Sequence, residues 1–245
     1  MVGPQPSKRR LGVALGLAVS LIAAQARADV VTLVPSRDST IYSEKADLSN
    51  GAGEFLFAGR TGLSASRRAL IAFDVAAGIP AGSKITRVTL TLHVSQSPFV
   101  NSRAPLPEPL AIHRVSAAWG QGVSNAGFPG GLGTPAADSD TTWTHRFWST
   151  GDTWTRAGGD FVATASASTV VPVTNDGFVT WGSTPEMVAD VQQWADSPAS
   201  NFGWILIGNE AADKTARRLD SRENREATYR PVLTIEYTPP IRPSR

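Results

Sequence analysis

Toward the end of the stretch from Lys84 to Val94 the chain alternates, with Val88, Leu90, Leu92 and Val94 on one side and Thr89, Thr91 and His93 on the other. A period of two belongs to a strand buried on one face and wetted on the other, and no other feature constrains the fold as strongly. Just before it, Ile79-Pro80-Ala81-Gly82 makes a turn from proline's fixed φ and glycine's tolerance of positive φ. Residues 69–75 are almost wholly apolar and read as a strand covered on both faces.

Further short strands are expected at 30–34, 39–42, 54–58, 110–115, 160–167, 178–181, 203–208, 216–220 and 232–238, separated by Gly-, Pro-, Asn- and Ser-containing connections. Many short strands with irregular turns predict an all-β, jelly-roll-type antiparallel sandwich. One segment breaks the pattern. Over 184–195, Met187, Val188, Val191 and Trp194 fall at helical spacing behind Pro185, with Ser183 or Thr184 as cap, so one short helix is expected there.

The N-terminus carries Lys8, Arg9 and Arg10, an apolar run from Leu11 to Ala24, and Ala26-Arg27-Ala28, the layout of a secretory signal peptide over residues 1–28. Export to the extracellular space or periplasm is the expectation, with a single domain over 29–238 and a Pro-rich disordered tail over 239–245. Taking the four leader cations from the 23 basic residues leaves 19 against 21 acidic ones, so the mature chain is slightly acidic. That balance gives no support for a nucleic-acid surface, and no later segment is apolar enough to predict a membrane span. The chain has no cysteine, so its core alone, or its core with a metal, must hold the exported fold. Thiol catalysis and cysteine zinc sites are excluded.

No H-E-x-x-H, G-x-S-x-G or phosphate-binding glycine loop is present, and no catalytic residue is assigned. Of the three histidines, His93 and His113 sit in strand patterns and read as structural, whereas His145 lies in a Trp-rich loop. Asp138 and Asp140 form a D-x-D pair of the kind that offers oxygens to Ca2+, but the glycine and terminal glutamate of an EF-hand loop are missing. No cofactor is certain, and calcium remains open. The region 97–155 holds Trp119, Trp143, Trp148 and Trp154, four of seven tryptophans, which serve either to stack on a ligand or to cap the sandwich. Arg68 and the Arg222-Glu223 pair read as internal ion pairs at the sheet ends. Arg60, Arg67, Arg217, Arg218, Arg225 and Lys214 lie in or beside loops and would share one face if the first and last strands are neighbours.

Several separated segments together resemble the DNRLRE-domain proteins, grouped with carbohydrate-binding module family 96. They are Arg37-Asp38-Ser39-Thr40-Ile41, Arg68 to Asp74, Ile79 to Ile85, Ile112-His113-Arg114-Val115 with Trp119, Val188 to Trp194 with Asn201-Phe202-Gly203-Trp204, and Asp220-Ser221-Arg222-Glu223-Asn224 with Arg230-Pro231-Val232-Leu233. The resemblance implies a jelly-roll sandwich and, for some members, recognition of an acidic polysaccharide such as alginate. On this reading the chain is a secreted, noncatalytic and monomeric module. Its ligand-binding residues would be Arg60, Arg67, Trp143, Trp148, Trp154, Arg217 and Arg218. Two alternatives stand beside it: an adhesive or structural envelope component, and a polysaccharide lyase or hydrolase motivated by His145, Arg146 and the Trp-rich loop.

Overall fold

A computed structural model describes residues 28–98 and 106–241, with Met1 and Gly3. Residues 4–27 of the expected leader and 242–245 of the expected tail lie outside the described residues. The chain runs through β1 (Asp29–Leu33), β2 (Pro35–Tyr42), β3 (Leu48–Ser49), β4 (Phe55–Arg60), β5 (Ser66–Phe73), a four-residue helix α1 (Val75–Gly78), β6 (Lys84–Gln96) and β7 (Glu108–Arg114). Three short strands follow, β8 (Thr134–Pro135), β9 (His145–Phe147) and β10 (Asp152–Thr153), and then β11 (Ala167–Val171), β12 (Gly177–Trp181), α2 (Pro185–Asp196), β13 (Trp204–Gly208), β14 (Arg217–Asp220) and β15 (Val232–Thr238).

The expected all-β antiparallel sandwich forms from one curled sheet folded into two layers. In the first layer β6 is flanked by β12 on one side and by β15 and β14 on the other, with β1 outside β15 and β4 outside β14. The second has the order β2, β5, β13, β7, β11. β4 joins them: Phe55 to Ala58 pair with β14, whereas Gly59 and Arg60 pair with β5. Gly59 turns this corner at φ 116°, where a Cβ would meet the Ala216 backbone at 2.8 Å. The alternation at 88–94 is realised as expected, since Val88, Leu90, Leu92 and Val94 are all fully buried between the layers.

α2 lies one residue later than the expected helix. Thr184 Oγ1 accepts from the Met187 N–H at 3.0 Å, Pro185 opens the first turn, and Met187, Val191 and Trp194 are buried. Two expected strands shift. The 69–75 strand stops at Phe73 because the Asp74 carboxylate caps the short helix α1 through the Ala77 N–H. The 160–167 strand is reduced to one bridge between Phe161 and Val115, and the ladder with β7 instead uses 167–171. Its Asp160 carboxylate accepts from the N–H groups of Thr155 and Arg156, a local turn that competes with the strand ladder.

The two ends of the resemblance meet in space. The Arg222 N–H donates to Asp38 Oδ2 at 2.8 Å, and Arg222 Nη1 pairs with Glu223 Oε1 at 3.0 Å. Asp38 is fully buried, and its Oδ1, like Glu223 Oε2, has no hydrogen-bond donor. Burial, and next the charge of Glu223, push the Asp38 carboxyl well above its ordinary value. A group raised in this way stabilises the fold below the unfolded pKa, and that contribution is lost as pH rises through the folded one. Asp38→Asn should remove this decline, since the amide can donate where the carboxylate cannot. Urea unfolding across pH should then find the variant more stable than the parent at pH 8 by about 1–3 kcal/mol, the usual cost of an unsatisfied buried polar group. Parallel stability curves for the two proteins would contradict this.

Candidate functional site

The tryptophan-rich excursion turns inward. Trp119 and Trp154 are buried with Ile41, Leu70, Val115 and Ile205 in a second apolar cluster, against which Trp143 and Phe161 pack. This cluster covers the outer face of the β2–β5–β13 layer. The Trp154 indole N–H donates to the Thr142 carbonyl at 3.0 Å. Trp143 is half-buried beneath the Arg68 guanidinium at 4.9 Å, and Arg68 in turn forms a two-pronged pair with Glu210 at 2.8 and 2.7 Å. Trp148 is half-buried and makes a T-shaped pair with His145, ring centres 4.8 Å apart. Trp154, proposed from sequence as a ligand contact, has no exposed face for one.

One cleft of about 530 Å3 opens on this side, lined by Ser116, Thr155, Arg156, Asp160 and Phe161; the outer face of the other layer carries two more. β4 contributes Phe55 and Phe57, β14 contributes Arg218 and Asp220, and β6 contributes His93 and Ser95. Period-two geometry places these on one side because Leu56, Leu219 and Val94 point into the core. The strand pairing sets Arg218 opposite Phe57 and Asp220 opposite Phe55.

A smaller cleft of about 230 Å3 is lined by Arg60, Arg67, Lys214 and Arg218 together with Phe57 and Gln96, and among the described residues no acidic side chain lines it. Two of its cations have carboxylate partners: Arg60 with Asp213 at 2.8 Å, and Arg67 with Glu44. Arg67 is buried, lying over the Tyr42 ring at 4.9 Å and donating to the Gly131 carbonyl. Arg218 and Lys214 have no carboxylate within ion-pair distance among the described residues. The Arg218 guanidinium lies over Phe55 at 4.1 Å while its Nε donates to Ser95 Oγ at 3.0 Å, so it is held flat with part of its fork open. Burial lowers its pKa, opposed by Asp220, and an arginine so placed still carries its charge at neutral pH.

Three of the seven sequence-derived residues, Arg60, Arg67 and Arg218, therefore converge, with Lys214. Arg217 does not: alternation turns it inward, where it is 2 % exposed and donates to the carbonyls of Thr215 and Leu106. Arg225 pairs with Glu54 at the rim of a second cleft.

That second cleft, about 590 Å3, abuts the first at Arg218, whose platform residues Phe55 and Phe128 line it. Its floor is His93, 2 % exposed, with Nδ1 against Asp220 and Nε2 at 2.8 Å from Asp176. The ring stacks on Tyr229 at 4.0 Å with 6° between planes. Burial raises the Asp220 carboxyl, and the bond to His93 opposes this. With both nitrogens engaged, His93 has no lone pair to offer a substrate. Glu54, Asp176 and Glu226 complete an acidic lining. His93 was legible as a strand residue. Its partners come from chain segments more than 80 residues away, and no spacing rule joins those.

Among the described residues no group of three His, Asp or Glu side chains is placed to hold a metal ion. Asp140 of the D-x-D pair is buried and accepts from the Ala137 N–H at 2.7 Å and from Ser124, so it ties a turn. No described helix is long and apolar enough to cross a membrane. Compared with known proteins, the chain matches no family model and no curated protein.

Proposed function

We propose that this protein is an exported, noncatalytic module of the DNRLRE type that binds an acidic polysaccharide through the outer face of the β4–β14–β6 layer. The observation that carries the reading is the cleft lined, among the described residues, by four basic side chains and no acidic one, in which Arg218 and Lys214 have no described carboxylate partner. Arginine's planar fork pairs a carboxylate in two-pronged fashion, and a uronic acid offers that group on a sugar ring. Phe57, buried behind the cleft, backs the wall on which the cations are held.

The test is calorimetric titration with alginate oligosaccharides, with and without calcium, of the parent protein and of Arg218→Ala combined with Lys214→Ala. The double variant is expected to weaken binding about 10- to 100-fold, at roughly 1–3 kcal/mol for lost charge-assisted contacts, while still unfolding cooperatively above the titration temperature. Failure of any acidic glycan to bind the parent, or equal binding by the variant, would remove the reading and favour an adhesive envelope role.

A further inference from the structure

Two clefts of opposite charge meet at one side chain. On the far side of Arg218 from the basic cleft, four carboxylate residues, Glu54, Asp176, Asp220 and Glu226, line the larger cleft against the single guanidinium of Arg225. Arg225 is spent on Glu54 at 2.9 Å, and His93 bridges Asp220 and Asp176. Asp176 nevertheless keeps its side chain 79 % exposed. Its remaining acceptor capacity and that of the exposed Glu226 face whatever enters. The aromatic walls are present as well: Phe128 is 77 % exposed, leaning edge-on toward Phe55 at 6.1 Å, and Tyr229 stacks over His93.

Resting on the binding role proposed above, we infer that the two clefts are consecutive subsites for a heteropolysaccharide in which an acidic sugar is followed by one without a carboxylate. The acidic sugar sets its carboxylate against Arg218 and Lys214. Its neighbour enters the larger cleft, with a ring face on the Phe128 and Tyr229 walls and hydroxyl or ammonium donors on Asp176 and Glu226. A polyuronate cannot fill both subsites well. Its second carboxylate would enter a lining that is already net negative, and like-charge juxtaposition selects against a ligand as strongly as good contacts select for one.

The discriminating experiment compares a hyaluronan hexasaccharide, where glucuronate alternates with an uncharged amino sugar, with an alginate hexasaccharide, where every unit is a uronate. Titrations are run on the full chain at equal ionic strength. Hyaluronan should bind about tenfold or more tightly than alginate. Asp176→Asn combined with Glu226→Gln should raise alginate affinity toward that of hyaluronan, because the amides keep hydrogen-bonding capacity while removing charge. Equal or tighter alginate binding, unchanged by the amide variants yet lost in the Arg218 and Lys214 double variant, would overturn the alternating ligand and leave acidic-glycan binding intact. Absence of binding to both oligosaccharides would overturn the two readings together.

Discussion

Replacing Asp190 by alanine is expected to destabilise the protein by about 3–5 kcal/mol, the range seen when one partner of a buried ion pair is removed. Asp190 sits on the inner side of α2, 8 % exposed, and three elements converge on its carboxylate. The Trp204 indole N–H of β13 donates to Oδ2 at 2.9 Å, the Ser166 hydroxyl donates to the same oxygen at 2.5 Å, and Arg114 at the end of β7 pairs with Oδ1 at 2.9 Å. Truncation leaves an indole N–H and a hydroxyl without an acceptor, and a mostly buried guanidinium without its counter-charge. Asp190→Asn keeps an acceptor for the indole and the hydroxyl but loses the charge and turns an amide donor toward the Arg114 Nε–H, so its cost should be smaller than alanine's, about 2–3 kcal/mol. Chemical denaturation of the three proteins decides the matter. An alanine variant within 1 kcal/mol of the parent would mean that the carboxylate does not clasp the helix to the sheet.

Asp190 also marks where sequence reading stops. The apolar stripe Met187, Val191 and Trp194 announces the inner face of α2, and position 190 lies on that same face. A charged residue there reads as a break in the stripe unless its partners are known, and those partners come from residues 114, 166 and 204. The alternation in β6, the cap at Thr184 and the Pro-Gly turn are local signals, so they were legible. The expected pairing of the first and last strands is present, but Arg60, Arg67 and Arg218 meet through a different route, the pairing of β4 with both β5 and β14, which the sequence did not signal. Arg217 could have been separated from Arg218 by the alternation of the strand. Two adjacent arginines on a strand necessarily face opposite sides, and the flanking Leu219, buried in the core, fixes Arg217 as the inward one. The acidic cleft was invisible for a different reason. His93, Asp176 and Asp220 each have an ordinary local reading, and only folding puts them in hydrogen-bond contact.

Trp154 is where the two functions available to a loop tryptophan separate most sharply. Trp154→Ala is expected to cost about 3–5 kcal/mol, as for other buried large aromatics. The ring is 4 % exposed, packs within the cluster of Ile41, Leu70, Val115, Trp119 and Ile205, and satisfies its N–H on the Thr142 carbonyl. That carbonyl belongs to the segment whose Thr142 hydroxyl receives the His145 N–H, so losing the indole should loosen the β9–β10 turn as well. The proposed glycan-binding face lies on the other layer of the sandwich, and none of its lining residues belongs to this cluster. A variant still folded at low temperature should therefore retain the parent's glycan dissociation constant within about twofold, as expected for sites without shared partners. Unfolding curves and titrations on the same sample give the two numbers. A large loss of affinity with little loss of stability would instead place the tryptophan at the ligand and move the binding face to the β2–β5–β13 side.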